Sequence, residues 1–292
     1  MEQAIAGQPT ETRLTGAIPG RHAAPAFGER RFGAVNWLGL WTLYQKEVRR
    51  FLKVAFQTII APVISTLLFL FVFMQAFGAD RPPVNGVPYI EFLAPGLIMM
   101  AILTNAFANS SSSLIIGKVQ GSIVDVLTPP LSPSELTIAF VFGAATRGLL
   151  VGVVTAITSA GFMEMAETPM HLIDLWAVAY FGLAAALMFS MLGVIGGIWA
   201  EKFDQLAAMT NFVITPLTFL SGTFYAISSL PDGFVAFSRL NPVFYLIDGF
   251  RFGFIGVAET SLLVGFTVTF AVNAALAFIC YRLFKSGWRL KN

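Results

Sequence analysis

An apolar run that breaks near its end reads Pro216-Leu217-Thr218-Phe219-Leu220-Ser221-Gly222-Thr223-Phe224-Tyr225. A short polar segment follows and ends in Leu230-Pro231. The chain then continues as Leu240-Asn241-Pro242-Val243-Phe244-Tyr245-Leu246-Ile247-Asp248-Gly249-Phe250-Arg251. This pattern is typical of a membrane span followed by irregular, half-apolar backbone. Such backbone is tolerated at membrane depth only where protein or a water-filled cavity covers it.

The composition also indicates a membrane protein. The 292 residues are 56% apolar and 12% charged, with 29 Phe and a mean hydropathy of +0.75. A soluble domain carries about 25% charged residues, and a membrane-spanning helix needs about 20 consecutive apolar residues. Six such blocks occur, at about 54–77, 92–117, 136–162, 175–199, 207–225 and 259–283. We therefore predict an all-α membrane protein with six transmembrane helices.

Basic residues are distributed unevenly between the predicted loops. With both termini inside, the inner segments contain most of the Lys and Arg residues, whereas the outer segments contain only Arg81, Arg239 and Arg251. This positive-inside asymmetry predicts cytoplasmic N and C termini. The net charge of +2 is too small to indicate a nucleic-acid partner.

Two segments precede the first span. Residues 1–33 are rich in Ala, Gly, Pro and Arg without periodicity, which predicts a disordered cytoplasmic tail before a transmembrane domain at 34–292. Asn36 to Lys53 shows helical spacing and predicts an amphipathic helix in the cytoplasmic interface; the alternative is the start of span one. The apolar positions are Trp37, Trp41, Tyr44, Val48 and Phe51, opposite Lys46, Glu47, Arg49 and Arg50.

No motif for catalysis or for nucleotide binding occurs in the sequence. It lacks a Gly-rich phosphate loop, an H-E-x-x-H zinc motif and a cysteine pair, and we assign no role to Cys280, His22 or His171. We predict no catalytic residue, metal site or cofactor in this chain. Energy for any work would then come from a partner or from an ion gradient.

Arg147 is the one charge deep in a predicted span. A charge there costs at least about 2.5 kcal/mol on insertion scales, so it needs a partner or a water path. Either Arg147 faces a translocation route, or it pairs with polar groups of span two such as Thr104, Asn105 or Asn109. Proton and sodium relays usually use interior carboxylates, and no span carries one near its centre.

The loop between spans two and three contains a short helix with a rigid end. Its sequence is Gly121-Ser122-Ile123-Val124-Asp125-Val126-Leu127-Thr128-Pro129-Pro130. Ile123, Val126 and Leu127 share one face, and the two prolines cannot continue the helix. The element is either a docking helix for a cytoplasmic partner or a compact loop.

From about Trp37 onward the chain resembles the ABC-2 permeases, the membrane subunits of one class of ATP-binding-cassette exporters. The most specific match is Asn241-Pro242-x-x-Tyr245-x-x-Asp248-x-x-Arg251, after Leu220-Ser221-Gly222 and Leu230-Pro231; Ala94-Pro95-Gly96 also fits. The loop helix with its Leu-x-x-Pro-Leu ending is similar to the family's coupling helix. Within the family, the chain resembles the YadH-like group of bacterial inner-membrane permeases.

The resemblance implies a half-transporter in a bacterial inner membrane. Two copies of this chain and two copies of a separate ATPase subunit, which binds ATP and Mg, would export an amphipathic drug, lipid or lipid-linked saccharide. The residues expected to couple to the ATPase are Gly121, Asp125, Leu127, Pro129 and Pro130, and those expected on the path or gate are Leu220, Phe224, Arg147 and Asn105. The rival predictions are an ion-coupled secondary transporter or channel that needs no ATPase, and a scaffold without cargo.

Residues 226–257 predict a pair of short re-entrant helices that cap the pore on the outer side. Asn241-Pro242 can open a helix. Asp248 and Arg251 stand three residues apart, so on a helix they share a face and are expected to pair. The alternative is a surface loop with an ordinary ion pair, although the many Phe and Tyr residues argue against full exposure.

Overall fold

The structure is a computed structural model that describes Gly33 and residues 35–77, 83, 84 and 86–290. The predicted disordered tail at 1–33 lies outside these residues except for Gly33. The described backbone contains helices and turns, with one isolated bridge between Val84 and Val87. The all-α prediction is therefore confirmed.

The α-helices follow one another along the whole described chain. They are α1 Trp37–Leu52, α2 Ala61–Phe77, α3 Tyr89–Val119, α4 Ile123–Leu127, α5 Pro133–Met165, α6 Leu175–Trp199, α7 Phe203–Met209, α8 Thr215–Phe219, α9 Asp232–Leu240, α10 Pro242–Ile255 and α11 Leu262–Ser286. Two π-helical turns, Phe56–Ile60 and Thr210–Ile214, precede α2 and α8, and a 3-10 turn at Ile227–Ser229 precedes α9.

Among the described residues, 5 helices are long and apolar enough to cross a membrane. They are Phe56–Ala76, α3, α5, α6 and α11, and they coincide with five of the six predicted spans. The sixth, predicted at 207–225, is not confirmed. Continuous helical backbone from Phe203 ends at Phe219 and extends about 25 Å, which is less than the hydrocarbon thickness of about 30 Å.

The two π turns occupy matching positions relative to a proline. Ile60 ends the first turn two residues before Pro62, and Ile214 ends the second turn two residues before Pro216. Proline donates no hydrogen bond and its ring clashes with the carbonyl four residues earlier. A wider turn just before the proline accommodates both effects, and π turns often accompany functional sites.

The centre of the bundle is α3 packed against α5 and α6. In the most apolar 18-residue window of α3, 83% of the residues are buried. Glycines bring α3 and α6 together: a Cβ on Gly193 would lie 2.5 Å from the Phe107 carbonyl oxygen, and one on Gly197 would lie 2.8 Å from Leu114 Cβ. Small residues at such a spacing allow close helix approach in membranes.

Candidate coupling surface and translocation route

The short helix α4 presents one exposed face at the end of the bundle where α3 stops and α5 begins. Ile123 and Val126 are buried, Leu127 is half-buried, and Val124 and Asp125 are exposed. The predicted helix is confirmed, and its apolar side anchors it to the bundle. The opposite side is accessible to another molecule.

The residues on either side of α4 fix its position. Gly121 adopts a left-handed φ of +72° just after α3 ends, a conformation that glycine adopts without steric cost. Pro129 and Pro130 follow α4 and are exposed. The exposed side of residues 121–130 thus forms one accessible surface, which we call the α4 surface.

A cavity of about 480 Å³ lies beside the α4 surface, with Lys118, Arg289 and Leu290 in its lining. The Lys118 ammonium donates to the carbonyls of Ile198 at 2.7 Å and Ala200 at 2.6 Å. These carbonyls lie at the C-terminal end of α6, where a cation is favourable. The α4 surface therefore adjoins the C-terminal ends of α3 and α6.

Glu135 joins three segments at this end of the bundle. Its carboxylate accepts from the backbone N–H of Asn36 at 2.6 Å and from that of Ser132 at 2.7 Å. The Asn36 side chain also donates to the Pro130 carbonyl at 3.3 Å. The beginning of α1, the end of the α4 surface and the beginning of α5 are thus connected. Sequence analysis missed Glu135, although Ser132-Pro133-Ser134-Glu135 has the spacing of a capping box.

The helix predicted from Asn36 to Lys53 is confirmed as α1, but its buried face differs from the prediction. Trp37 and Trp41 are 72% and 56% exposed, as suits a helix at a lipid interface. Glu47, assigned to the outer polar face, is 1% exposed. It is buried because Ser113 donates to one carboxylate oxygen at 2.8 Å and Arg50 lies 3.3 Å from the other. Paired charges tolerate burial.

Two arginines from neighbouring helices bind the polar face of α3. Arg50 of α1 donates to the carbonyl of Asn109 at 2.6 Å and to its side-chain oxygen at 2.9 Å. Arg147 of α5 donates to the side-chain oxygen of Asn105 at 3.1 Å. The expected pairing of Arg147 with span two is therefore confirmed at Asn105. Asn109 binds Arg50 instead, a residue that sequence analysis did not single out.

A groove of about 270 Å³ runs between α2 and α3 and includes Asn105 in its lining. The other lining residues are Ala61, Pro62, Ser65, Thr66, Phe69, Leu97, Met100, Ala101 and Thr104. Aliphatic and aromatic groups thus alternate with hydroxyl and amide groups. Such a lining suits a molecule with both apolar and polar parts.

The predicted gate residue Phe224 lies in an aromatic cluster between α2 and the end of α8. Its ring centroid is 5.8 Å from that of Phe73, 5.1 Å from that of Phe219 and 6.2 Å from that of Phe69. Leu220, the other predicted gate residue, is 38% exposed at the end of α8. Because Phe69 also lines the groove, the aromatic cluster adjoins the groove.

Asn241 joins the end of α8 to the beginning of α10. Its side-chain amide donates to the Leu217 carbonyl at 2.9 Å and to the Ser221 hydroxyl at 2.7 Å. Its oxygen accepts from the Val243 N–H at 3.0 Å, which caps α10, and Pro242 occupies the first position of that helix. Helix α8 can end abruptly because these contacts satisfy its polar groups.

Arg251 supports the irregular segment that follows α8. Its guanidinium donates to the Gly222 carbonyl at 2.8 Å and to the Phe92 carbonyl at 3.1 Å, and it lies 3.7 Å from the centre of the Phe92 ring. A Cβ on Gly96 would lie 2.6 Å from the Thr223 carbonyl oxygen. Only glycine therefore allows this segment to lie so close to α3.

The predicted ion pair between Asp248 and Arg251 is wrong. Asp248 instead accepts from the N–H groups of Glu259 at 2.8 Å and Thr260 at 3.0 Å. In the part of the chain that the structure describes, the ion pairs are Arg50–Glu47 and Arg289–Glu201. The two side chains share a helix but each satisfies a different stretch of irregular backbone.

The two short helices predicted within 226–257 are confirmed as α9 and α10. The Tyr245 hydroxyl joins them by donating to the Arg239 carbonyl at 2.9 Å. Helix α10 is largely buried, whereas Phe234 and Phe237 of α9 are exposed. Their position relative to the membrane stays a prediction.

Acidic, histidine and cysteine side chains are dispersed in the structure. No three of them lie together as a metal site would require within residues 35–77 and 86–290. Cys280 is buried and contacts the Met191 carbonyl at 3.6 Å. The polar clusters to consider for a function are therefore the α4 surface with its Glu135 junction, the two arginines that bind α3 and the segment around Arg251.

Comparison with known proteins agrees with this architecture. A model of the ABC-2 type transporter family matches residues 39–255. The chain is 34% identical over 256 residues to the inner membrane transport permease YadH of Escherichia coli. The aligned residues make up 88% of this chain and 98% of YadH. The chain is also 27% identical over 253 residues to nodulation protein J of Rhizobium leguminosarum bv. viciae, and this alignment covers 84% of the chain and 94% of that protein. The chain therefore belongs to the ABC-2 type transporter family, as a multi-pass membrane permease.

Proposed function

We propose that this permease works as a homodimer in a bacterial inner membrane and exports an amphipathic substrate with energy from a separate ATPase subunit. Both termini lie in the cytoplasm in this proposal. The α4 surface is the observation that carries it. An exposed helix face, joined through Glu135 to two other helices, is suited to receive a force from a cytoplasmic partner.

The contacts suggest how such a force would reach the groove. Two ATPase subunits bind ATP and Mg and close against the α4 surface of each permease chain. Glu135 transmits the displacement to α1 and α5. Glu47 and Arg50 hold α1 against the polar face of α3, because they bind Ser113 and Asn109, so the displacement acts on the helices that surround α3.

The loosely packed helices beside α3 would respond to this displacement. Helix α2 and the α7–α8 segment each contain a π turn, and both contribute rings to the aromatic cluster around Phe224. Movement of either helix separates these rings. The substrate then leaves the groove past Leu220 and Phe224, between the two copies of the chain.

Transport in reconstituted vesicles tests the proposal. The permease and its ATPase subunit are reconstituted together, and ATP-dependent movement of a fluorescent amphiphile is measured. Charge reversal by Asp125→Lys and backbone strain from Gly121→Trp are each expected to reduce transport at least tenfold without lowering the amount of folded permease. Asp204→Lys is the matched control, because Asp204 is also an exposed acid but lies outside the α4 surface.

Three results would contradict the proposal. Unchanged transport in both α4 variants would remove the coupling role of this surface. Uphill transport by the permease alone, driven by a proton or sodium gradient, would support the ion-coupled carrier. Complete absence of transport by the assembled complex for amphiphiles of every charge would favour the scaffold.

A further inference from the structure

Arg147 and Arg50 retain unused hydrogen-bonding capacity inside the bundle. The Nε atoms of both arginines are shielded from solvent and have no hydrogen-bond partner in the part of the chain that the structure describes. A guanidinium carries five N–H donors, yet Arg147 makes one hydrogen bond among the described residues, to Asn105. Buried polar groups in folded proteins are nearly always paired, so these two side chains call for a further acceptor.

The two guanidinium groups are directed to one place on α3. Asn105 and Asn109 are four residues apart, so they lie on the same face of the helix about one turn from each other. Arg147 binds the first and Arg50 binds the second. Two positive charges therefore lie against the same stretch of α3, where like charges repel each other. An anion between them would relieve that repulsion.

The protein supplies only part of the balancing charge. Glu47 is the carboxylate within ion-pair distance of Arg50, and Arg147 has no ion-pair partner among the described residues. One of the Glu47 oxygens is already occupied by the Ser113 hydroxyl. The pair of arginines with Glu47 therefore carries one net positive charge in a partly buried site, where an unbalanced charge is costly.

The positive site is continuous with the groove between α2 and α3. Asn105 both accepts from Arg147 and lines the groove. Beside Asn105, the lining combines the apolar side chains of Met100, Leu97 and Phe69 with hydroxyl groups of threonine and serine. A ligand with one anionic end and one apolar end matches this arrangement of charge and apolar surface.

We propose that Arg147 and Arg50 bind the anionic head group of an amphiphile, a phosphate or a carboxylate, while its apolar chain lies in the groove between α2 and α3. The head group would accept charge-assisted hydrogen bonds from free guanidinium N–H groups. As a statement about cargo, the inference rests on the proposed transport function. As a statement about binding, it can be tested on the permease alone.

Equilibrium binding to the full-length chain in phosphatidylcholine nanodiscs tests the inference. The probe is radiolabelled dodecyl phosphate, with dodecanol as the neutral comparator and empty nanodiscs as the blank. Arg147→Gln and Arg50→Gln are each expected to weaken binding of dodecyl phosphate about tenfold or more, since each removes charge-assisted hydrogen bonds. Binding of dodecanol is expected to stay the same. Arg147→Lys, which keeps the charge, should retain part of the affinity.

The controls separate a head-group site from a folding effect. Arg282→Gln removes an exposed cation that lies over the Phe278 ring on α11, and it should leave the affinity for dodecyl phosphate unchanged. The melting temperature of every variant is measured. If Arg147→Gln does not fold, Arg50→Gln and Arg147→Lys decide the question. Unchanged affinity in these arginine variants, or an equal loss for dodecanol, would overturn the inference.

Competition with inorganic phosphate distinguishes a free anion from an attached head group. The inference predicts that inorganic phosphate displaces dodecyl phosphate only at concentrations at least a hundredfold above those of unlabelled dodecyl phosphate. Equal competition would contradict the role of the groove. The two proposals can fail separately. If the complex showed no ATP-driven transport, the proposed function would be contradicted, but binding of dodecyl phosphate to the arginines would still stand. If binding did not depend on the arginines, this inference would be contradicted, but ATP-driven transport would still stand.

Discussion

Helices α3 and α2 line the same groove but are packed very differently. In an apolar 18-residue window of each helix, 83% of the residues are buried in α3, compared with 17% in Phe56–Ala76, which includes all of α2 except Phe77. Helix α3 is fixed by glycine contacts to α6 and by arginines from α1 and α5. Helix α2 begins at a π turn and its outer face is apolar and exposed. One wall of the groove is therefore fixed and the other is free to move or to contact another chain.

Arg251 supports α3, the fixed wall of the groove, and substitution of Arg251 should have the largest effect on stability. Arg251→Met leaves the carbonyls of Phe92 and Gly222 without their donors. We expect a loss of about 3 kcal/mol in the free energy of unfolding, because each charge-assisted bond contributes about 1.5–3 kcal/mol. Chemical unfolding in detergent micelles measures it. Arg239→Met, at an exposed position of α9, should change stability by less than about 0.5 kcal/mol; an equal loss in both variants would contradict the role given to Arg251.

The contact between α3 and α6 can be tested with one methyl group. Gly193→Ala places a Cβ 2.5 Å from the Phe107 carbonyl oxygen and should lower the free energy of unfolding by about 1–3 kcal/mol. Gly161→Ala on α5 is the matched control, since no described atom other than those of its own chain neighbours and nearby helix backbone lies within 4 Å of its Cβ position. It should raise stability by up to about 1 kcal/mol through helix propensity. Effects of the same sign and size would show that α3 is not closely held.

The aromatic cluster of the mobile wall should matter less for stability than for transport. Phe224→Ala removes ring contacts with Phe73 and Phe219, each worth about 0.5–1.5 kcal/mol beyond burial. We expect a modest fall in melting temperature and increased passive leak of amphiphile through reconstituted vesicles. Phe212→Ala, at a ring that is 81% exposed, should leave the leak unchanged. Equal passive leak in the two variants would show that Phe224 is not part of the gate.

The fold could be predicted well where it depends on the length of apolar runs. Five spans follow from this length alone, and Pro129-Pro130 locates the end of α4. The predicted span 207–225 extended too far because it included Ser221 to Tyr225, although the apolar run is already interrupted at Ser221-Gly222. That segment can leave the helix because two residues distant in sequence bind it: Asn241 donates to the Ser221 hydroxyl and to the Leu217 carbonyl at the end of α8, and Arg251 donates to the Gly222 carbonyl. Such long-range partners cannot be read from local composition.

The candidate sites were predicted less completely for a related reason. Helical spacing shows which residues share a face, but it does not show what that face contacts. It therefore placed Glu47 on the outer side of α1 and paired Asp248 with Arg251. Both acids instead find donors on other segments. The sequence indicates a role for Arg147 because it is a single charge within an apolar span. Arg50 is one of several basic residues at the end of α1, so the sequence does not indicate that it contacts α3.

The central claim is that the α2 wall of the groove moves while the α3–α6 wall stays in place. Pulsed electron spin resonance on the reconstituted complex, in a Cys280→Ala background, tests it with two pairs of spin labels. One pair joins Leu68→Cys on α2 to Ala108→Cys on α3, and the other joins Leu183→Cys on α6 to Ala108→Cys; all three positions are exposed. On ATP binding we predict a change of several ångströms between α2 and α3 and none between α6 and α3. An unchanged distance between α2 and α3 during active transport, or equal changes in both pairs, would contradict the claim.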